Sequence, residues 1–240
     1  MGALDGRKIG FIGLGLMGKL MARNLHAAGA AMTVTSRSPG PAEELVGEGM
    51  STAATAREVV EACEITVLMV TDTNAVDAVL HGDNGAIAGL SAGKTIIDMS
   101  TTKVRETREW AAEVMARDAH YVDAPVSGGT VGAEAGNLTI MIGADDASLT
   151  LAMPVLDVLG QNITHIGGVG AGQVTKTANQ AIVGMTLAAV AEGLTLAARS
   201  GVDPAKVRTA LLGGFAESRV LDLHGGRMVE RAFEPHGRAS

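Results

Sequence analysis

Short apolar runs punctuate the first 168 residues: Ile9 to Ile12, Met32 to Thr35, Ile65 to Val70, Thr95 to Met99, His120 to Val126, Leu138 to Ile142 and Ile163 to Ile166. Each is bounded by glycine or by short polar residues, as strands are. Most are apolar at consecutive positions, so both faces of these strands are expected to be buried. Helical patterns separate them at Gly18 to Ala28, Ala42 to Glu48, Ala54 to Ala62, Ala75 to Leu80 and Lys103 to Arg117, with a further helix capped by Asp145 or Asp146 and running to Leu159. Strand and helix in alternation predict an α/β fold with a doubly wound, mostly parallel sheet. The character changes at the glycine-rich stretch Gly167 to Gly172. One long helical pattern follows, Gln173 to Ser200, then a break at Gly201 to Pro204 and another helix to about Leu212. Proline suits a first helical position. A boundary near Gly168 is expected, with 1–168 as a Rossmann-type domain and 169–240 as a long interdomain helix and the start of a short, all-α domain.

The turn after the first strand reads Gly13-Leu14-Gly15-Leu16-Met17-Gly18. The chain holds 32 glycines, so the pattern alone is weak. Its place between a strand and a helix points to dinucleotide binding: Gly13 for the tight turn, Gly15 for approach of a pyrophosphate, Gly18 for close helix packing. The helix start then favours the phosphates. At the end of the second strand stands Ser36-Arg37-Ser38, with no acid between Thr33 and Pro41. NAD sites commonly place an acid there for the ribose hydroxyls. A guanidinium suits the 2′-phosphate of NADP instead, although Arg37 also reads as a solvated loop residue. NADP is therefore favoured over NAD. Val70, Thr71 and Asp72 end the Ile65 strand, where cofactors of such sheets sit; Asp72 reads equally as a helix cap. Ser100-Thr101-Thr102 carries the same two readings.

Composition narrows the function classes. Apolar residues make up 47%, enough for an aliphatic core, while aromatics are 2% and the net charge is -7. Neither suits a nucleic-acid surface, which needs basic patches and stacking rings. The single cysteine, Cys63, excludes an internal disulfide framework and a multi-cysteine metal site and reads as a small buried helix residue. Met1 to Lys8 is short and polar, so no signal peptide is expected. The apolar run Ala181 to Ala191, between Gln180 and Glu192, is too short to span a bilayer. The reading is a cytoplasmic protein without a membrane segment. His165, in an alternating strand, reads as structural.

Two polar stretches remain. Ser127-Gly128-Gly129 offers a hydroxyl and adjacent N–H groups, either as a carboxylate-binding nest or as an ordinary glycine turn. In Gly170-Ala171-Gly172-Gln173-Val174-Thr175-Lys176-Thr177-Ala178-Asn179-Gln180, Lys176, Asn179 and Gln180 share one face of a helix that then becomes almost wholly apolar. A lysine on such a helix needs a task or a partner; the alternative is that these first turns are solvated.

Four separated motifs match a known family in order: Gly-Phe-Ile-Gly-Leu-Gly-Leu-Met-Gly at 10–18, Asp-Met-Ser-Thr at 98–101, Asp-Ala-Pro-Val-Ser-Gly-Gly at 123–129 and Gly-Ala-Gly-Gln-Val-Thr-Lys at 170–176. On these the chain resembles the β-hydroxyacid dehydrogenases, which include 3-hydroxyisobutyrate dehydrogenases and tartronate semialdehyde reductases, the latter branch above all. The resemblance implies NADPH-dependent reduction of a small, carboxylate-bearing semialdehyde, with tartronate semialdehyde or glyoxylate as leading substrates. It implies Lys176 as general acid and base, Asn179 as its helper, Ser127, Gly128 and Gly129 as the holders of the carboxylate, and Thr101 and the turn after Val70 as cofactor contacts. A homo-oligomer is implied, and no metal. Family members continue past this end with further helices, so the long helix is expected to lack part of its cover: either a partner chain covers it, or turnover is reduced or absent. The alternatives are an NAD-linked 3-hydroxyisobutyrate-type dehydrogenase and a non-catalytic NADP-binding fragment.

Overall fold

A computed structural model describes residues 2–233 of the 240. Glu234 and Pro235 lie outside the described residues. The described chain forms two compact units, one up to Lys176 and one from Thr177. The expected boundary near Gly168 precedes this division, because the first turns of the long helix are hydrogen-bonded into the sheet.

The first unit runs β1 (Lys8–Ile12), α1 (Gly18–Ala27), β2 (Ala31–Thr35), α2 (Pro39–Gly47), β3 (Ser51–Thr52), α3 (Ala56–Ala62), β4 (Ile65–Leu68), α4 (Thr73–His81), β5 (Thr95–Asp98), α5 (Val104–Met115), β6 (His120–Asp123), β7 (Val126–Ser127), α6 (Gly129–Ala135), β8 (Leu138–Gly143), α7 (Asp146–Leu159) and β9 (Gly160–Gly167), and enters α8 (Ala171–Arg199). Six strands lie parallel in the order β3-β2-β1-β4-β5-β6. The chain winds outward from β1 to β3 and returns to β4 on the other side of β1. That reversal opens a crevice between the carboxyl ends of β1 and β4.

Burial explains the double winding. On one face Met21, Ala22 and Leu25 of α1 join Val155, Leu156 and Leu159 of α7 over Ile9, Phe11, Val67 and Ile97. On the other, Val59 and Val60 of α3, Val76 and Leu80 of α4 and Trp110 and Val114 of α5 cover Ile12, Leu68, Ile96 and Tyr121. Side chains alternate across each strand, so consecutive apolar residues feed both layers. Local signals set the helix starts: Thr55 accepts from Glu58 N, Asp72 from Ala75 N and Asp145 from Ser148 N.

Three features depart from the sequence reading. The strand beginning at His120 divides at Ala124-Pro125 into β6 and β7, both paired antiparallel with β8. Pro125 has no N–H for a continuous ladder. β8 and its parallel partner β9 therefore run against the six core strands, so the sheet is mixed at this edge. The glycine turn at Gly128 leads directly into α6, a short helix without a distinct apolar period in the sequence. Cys63 is buried but follows α3 rather than lying within it.

The second unit comprises the rest of α8 with α9 (Pro204–Leu211) and α10 (Arg219–Glu230). Asp203 and Ser218 cap the two later helices. Arg208 of α9 donates to the Leu221 and Asp222 carbonyls and to the Asp222 carboxylate at 2.8 Å, tying the two together. Leu194 and Leu221 are buried, whereas Ile182, Met185, Leu196 and Phe215 are exposed. By length and composition alone α8 is long enough to cross a membrane, with an 18-residue window of mean hydropathy 1.7. It is longer than the expected apolar run Ala181 to Ala191 because the isolated polar residues within the helix do not interrupt it.

Candidate functional site

The glycine turn sits at the crevice. Gly13 has a φ of +102°, in the left-handed region, and a side chain there would meet the Met69 carbonyl and Val70. Its N–H donates to Thr35 O at 3.2 Å, which sets the turn against the end of β2. A side chain at Gly18 would strike the Gly13 carbonyl and the Phe11 ring, whereas Gly15 faces open space. Leu14 is buried beneath the turn and Leu16 is exposed. Met17 precedes α1 and gives it no side-chain cap, and no acid lies in its first turn. This turn thus offers room and an uncapped helix start to a pyrophosphate. Ser36 and Arg37 follow the carboxyl end of β2, Ser36 half-buried and Arg37 exposed.

Hydrogen bonds carry the site across the sheet. Val70 N donates to Ser100 Oγ at 3.0 Å, joining the turn after β4 to that after β5. Thr71 donates to the Asp72 carboxylate, whose other oxygen caps α4. The polar trio after β5 separates by burial: Ser100 and Thr102 are buried and Thr101 is exposed. No hydroxyl of the trio caps α5; Lys103 holds the cap position without a side-chain bond. Thr102 instead meets the Thr107 hydroxyl at 2.7 Å. Thr101 is thus the exposed hydroxyl of the trio. Ser127, the last residue of β7, is half-buried and pairs in register with Thr139. Gly128 and Gly129 are exposed, with φ of +140° and +62°. His165 bonds the Ala144 and Gly167 carbonyls, a structural role.

Lys176 is 8% exposed, which removes the solvated alternative for it. Burial pushes its pKa below the ordinary lysine value. Asn179 lies one turn on, in the second unit, half-buried, and its amide donates to Gln180 Oε1 at 3.1 Å. Gln180 is exposed. Asn179 is thus near Lys176 along the helix, without a hydrogen bond to it.

Two buried acids carry no role in the sequence reading. Asp123 ends β6 fully buried and accepts from Gly170 N at 2.7 Å and from Gln173 N at 2.9 Å. A carboxylate at the open N–H groups of α8 is both capped and charge-matched. Gln173 is itself fully buried. Asp98 stands beside Asp123 in register on β5, bonded by Ser100 N and the Tyr121 hydroxyl. Burial, despite these donors, pushes the Asp98 pKa from 3.8 to about 6. Burial also raises that of Asp123, against the pull of its N–H donors. The available signal was an acid closing each of two apolar strands.

Two family models match the chain in succession. Residues 8–167 match the family model described as the NAD binding domain of 6-phosphogluconate dehydrogenase. Residues 170–240 match that of the NAD-binding of NADP-dependent 3-hydroxyisobutyrate dehydrogenase. The chain is 48% identical to 2-hydroxy-3-oxopropionate reductase of Escherichia coli (strain K12) over 228 residues, which is 95% of this chain and 78% of that protein. Its structure resembles that of a 3-hydroxyisobutyrate dehydrogenase from Salmonella typhimurium, with a TM-score of 0.86 and 30% identity over 96% of this chain and 81% of the other. A Mycobacterium tuberculosis 3-hydroxyisobutyrate dehydrogenase with L-serine is similar at a TM-score of 0.86 and 28% identity, over 96% and 80% of the two chains.

Proposed function

This chain belongs to the 3-hydroxyisobutyrate dehydrogenase-like family of NAD(P)-dependent oxidoreductases acting on CH–OH groups, and on that premise we propose that it reduces a small semialdehyde acid with NADPH. Tartronate semialdehyde and glyoxylate are the leading substrates. The observation that carries this reading is a buried Lys176 in the second turn of a helix anchored at the carboxyl end of the sheet. When bound, the reduced nicotinamide supplies a hydride to the aldehyde carbon. The Lys176 ammonium hydrogen-bonds the aldehyde oxygen, stabilises the growing negative charge and gives up its proton. Its lowered pKa makes that transfer easier and makes the neutral amine available to the reverse reaction. Ser127 and the N–H groups at Gly128 and Gly129 hold the carboxylate and so orient the carbonyl. Asn179 assists at the lysine. The glycine turn, Val70 to Asp72 and Thr101 hold the cofactor, and Ser36 and Arg37 take the 2′-phosphate. A second copy of the chain covers the exposed apolar residues of the second unit.

The test is NADPH oxidation with tartronate semialdehyde, glyoxylate and succinic semialdehyde, beside a Lys176→Ala variant. Turnover should fall by about 10²-fold or more in the variant while NADPH binding is retained. Equal turnover in both proteins would overturn the role of Lys176, and turnover confined to NADH would overturn the cofactor assignment.

A further inference from the structure

One side chain joins the start of α8 to the turn after β5. The Gln173 amide nitrogen donates to Ser100 O at 2.8 Å, and its amide oxygen accepts from Thr102 N at 3.1 Å. The two bonded groups flank Thr101, the exposed hydroxyl of this turn. Ser100 also receives the Val70 N–H, so the same turn is fastened to the one after β4. On the helix side, the Asp123 carboxylate holds the N–H groups of Gly170 and Gln173. Gly172 permits this seating, since a side chain there would strike the Met141 carbonyl and the Asp123 carboxylate.

These bonds divide the labour. Asp123 fastens α8 to β6 alone. Gln173 fastens it to the segment that carries Thr101. Lys176 stands three residues after Gln173, on the same helical face. Bulk alone does not require glutamine here, because leucine fills a similar volume and suits an apolar setting better. What the position uses is one donor and one acceptor in fixed geometry, both matched to backbone.

We propose that Gln173 is a positioning residue, a clamp that sets Lys176 relative to the Ser100–Thr102 segment and through it to the cofactor side of the sheet. The proposal rests on the reading of Lys176 as proton donor. Titratable and charged groups close to the clamp include Asp98, Tyr121, Asp123, Arg108 and Lys176.

Two substitutions in the full chain test it. Gln173→Glu keeps the shape. Its ionised carboxylate sets an oxygen against Ser100 O and breaks one bond. Once protonated, its hydroxyl donates to Ser100 O and its carbonyl accepts from Thr102 N, which restores both. Gln173→Leu loses both bonds at every pH. The expected result for Gln173→Glu at pH 8 is a kcat lower by about tenfold or more, with the KM for NADPH changed less than about threefold. Its kcat relative to wild type should then recover as pH falls, and that of Gln173→Leu should not. Thermal melts at each pH confirm that folded protein is compared. A second readout needs no turnover: the pH dependence of Lys176 acylation by acetic anhydride, followed by peptide mass spectrometry. Its midpoint should rise toward that of an ordinary lysine in Gln173→Leu, as a loosened helix start lets water reach the amine.

A folded Gln173→Leu with wild-type kcat and wild-type labelling would overturn the clamp. So would a loss in Gln173→Glu that does not recover at low pH. If Gln173→Leu does not fold, the pH recovery of Gln173→Glu decides. A wild-type protein inactive on every aldehyde would instead sink the proposed reaction, and the labelling midpoint would still settle whether Gln173 holds Lys176.

Discussion

Lys176, Arg37 and Asp98 each owe their expected behaviour to a different surrounding. Lys176 is buried and its pKa lowered, so reduction should slow as pH rises through that value, because the proton donor is lost. Oxidation of the hydroxy acid should speed up across the same range, and the two pH–kcat profiles check this. Arg37 is exposed beyond β2, free to meet a phosphate. Arg37→Ala should lower kcat/KM for NADPH relative to NADH by about tenfold or more, as expected for loss of a charge-assisted bidentate contact. Asp98 is fully buried with its pKa raised to about 6. A raised carboxyl pKa means the folded state holds the proton more tightly than the unfolded one. Its stabilising contribution is complete below pH 3.8 and is lost as pH rises through about 6, a change of up to about 3 kcal/mol. Asp98→Asn should flatten this part of the stability profile in urea melts at pH 4 to 8.

The elements differ in how far local chemistry specifies them. α1 starts where it does because glycine occupies position 18, and Gly18→Ala would drive the helix off the Gly13 carbonyl. It should cost about 1–3 kcal/mol and weaken NADPH binding, read by fluorescence titration. α3 ends on a tertiary contact: Lys94 Nζ donates to the carbonyls of Val60 at 2.6 Å, Glu61 at 3.1 Å and Cys63 at 2.8 Å. Lys94→Met should leave these carbonyls without that donor and lower stability by about 1–3 kcal/mol in denaturant melts. Nothing around Lys94 in the sequence announces this, because its partners lie some 30 residues earlier. β3 is likewise illegible. It is two residues long and exists only because β2 supplies the ladder.

The whole molecule presents a contrast between a closed first unit and an open second one. Both faces of the sheet are covered, yet Ile182, Met185, Leu196 and Phe215 remain exposed. Their cover by a second copy is proposed. The proposed second copy predicts a dimer or larger species in sedimentation velocity. The double substitution Ile182→Glu and Met185→Glu should shift it toward monomer while leaving NADPH binding in place.

The patterns legible along the chain were those whose causes are local. Apolar runs mark strands because side chains alternate along them, and the glycines at 13, 15 and 18 mark a turn because their neighbours in sequence are also their neighbours in space. The double winding could be read on that basis, and the roles proposed for Lys176 and its neighbours came from the resemblance of the motifs. The order of the strands at the β8 edge could not, because proline at 125 divides a strand without showing where its second half pairs. Nor could the burial of Ser100 and Thr102 beside an exposed Thr101, the pairing of Asp98 with Asp123, or the reach of Gln173 to Ser100. Those depend on groups dozens of residues apart, which strand register and burial bring within hydrogen-bonding distance. Burial also decides which acid is raised and which lysine lowered, since the cost of a charge depends on the surroundings that the folded chain builds around it.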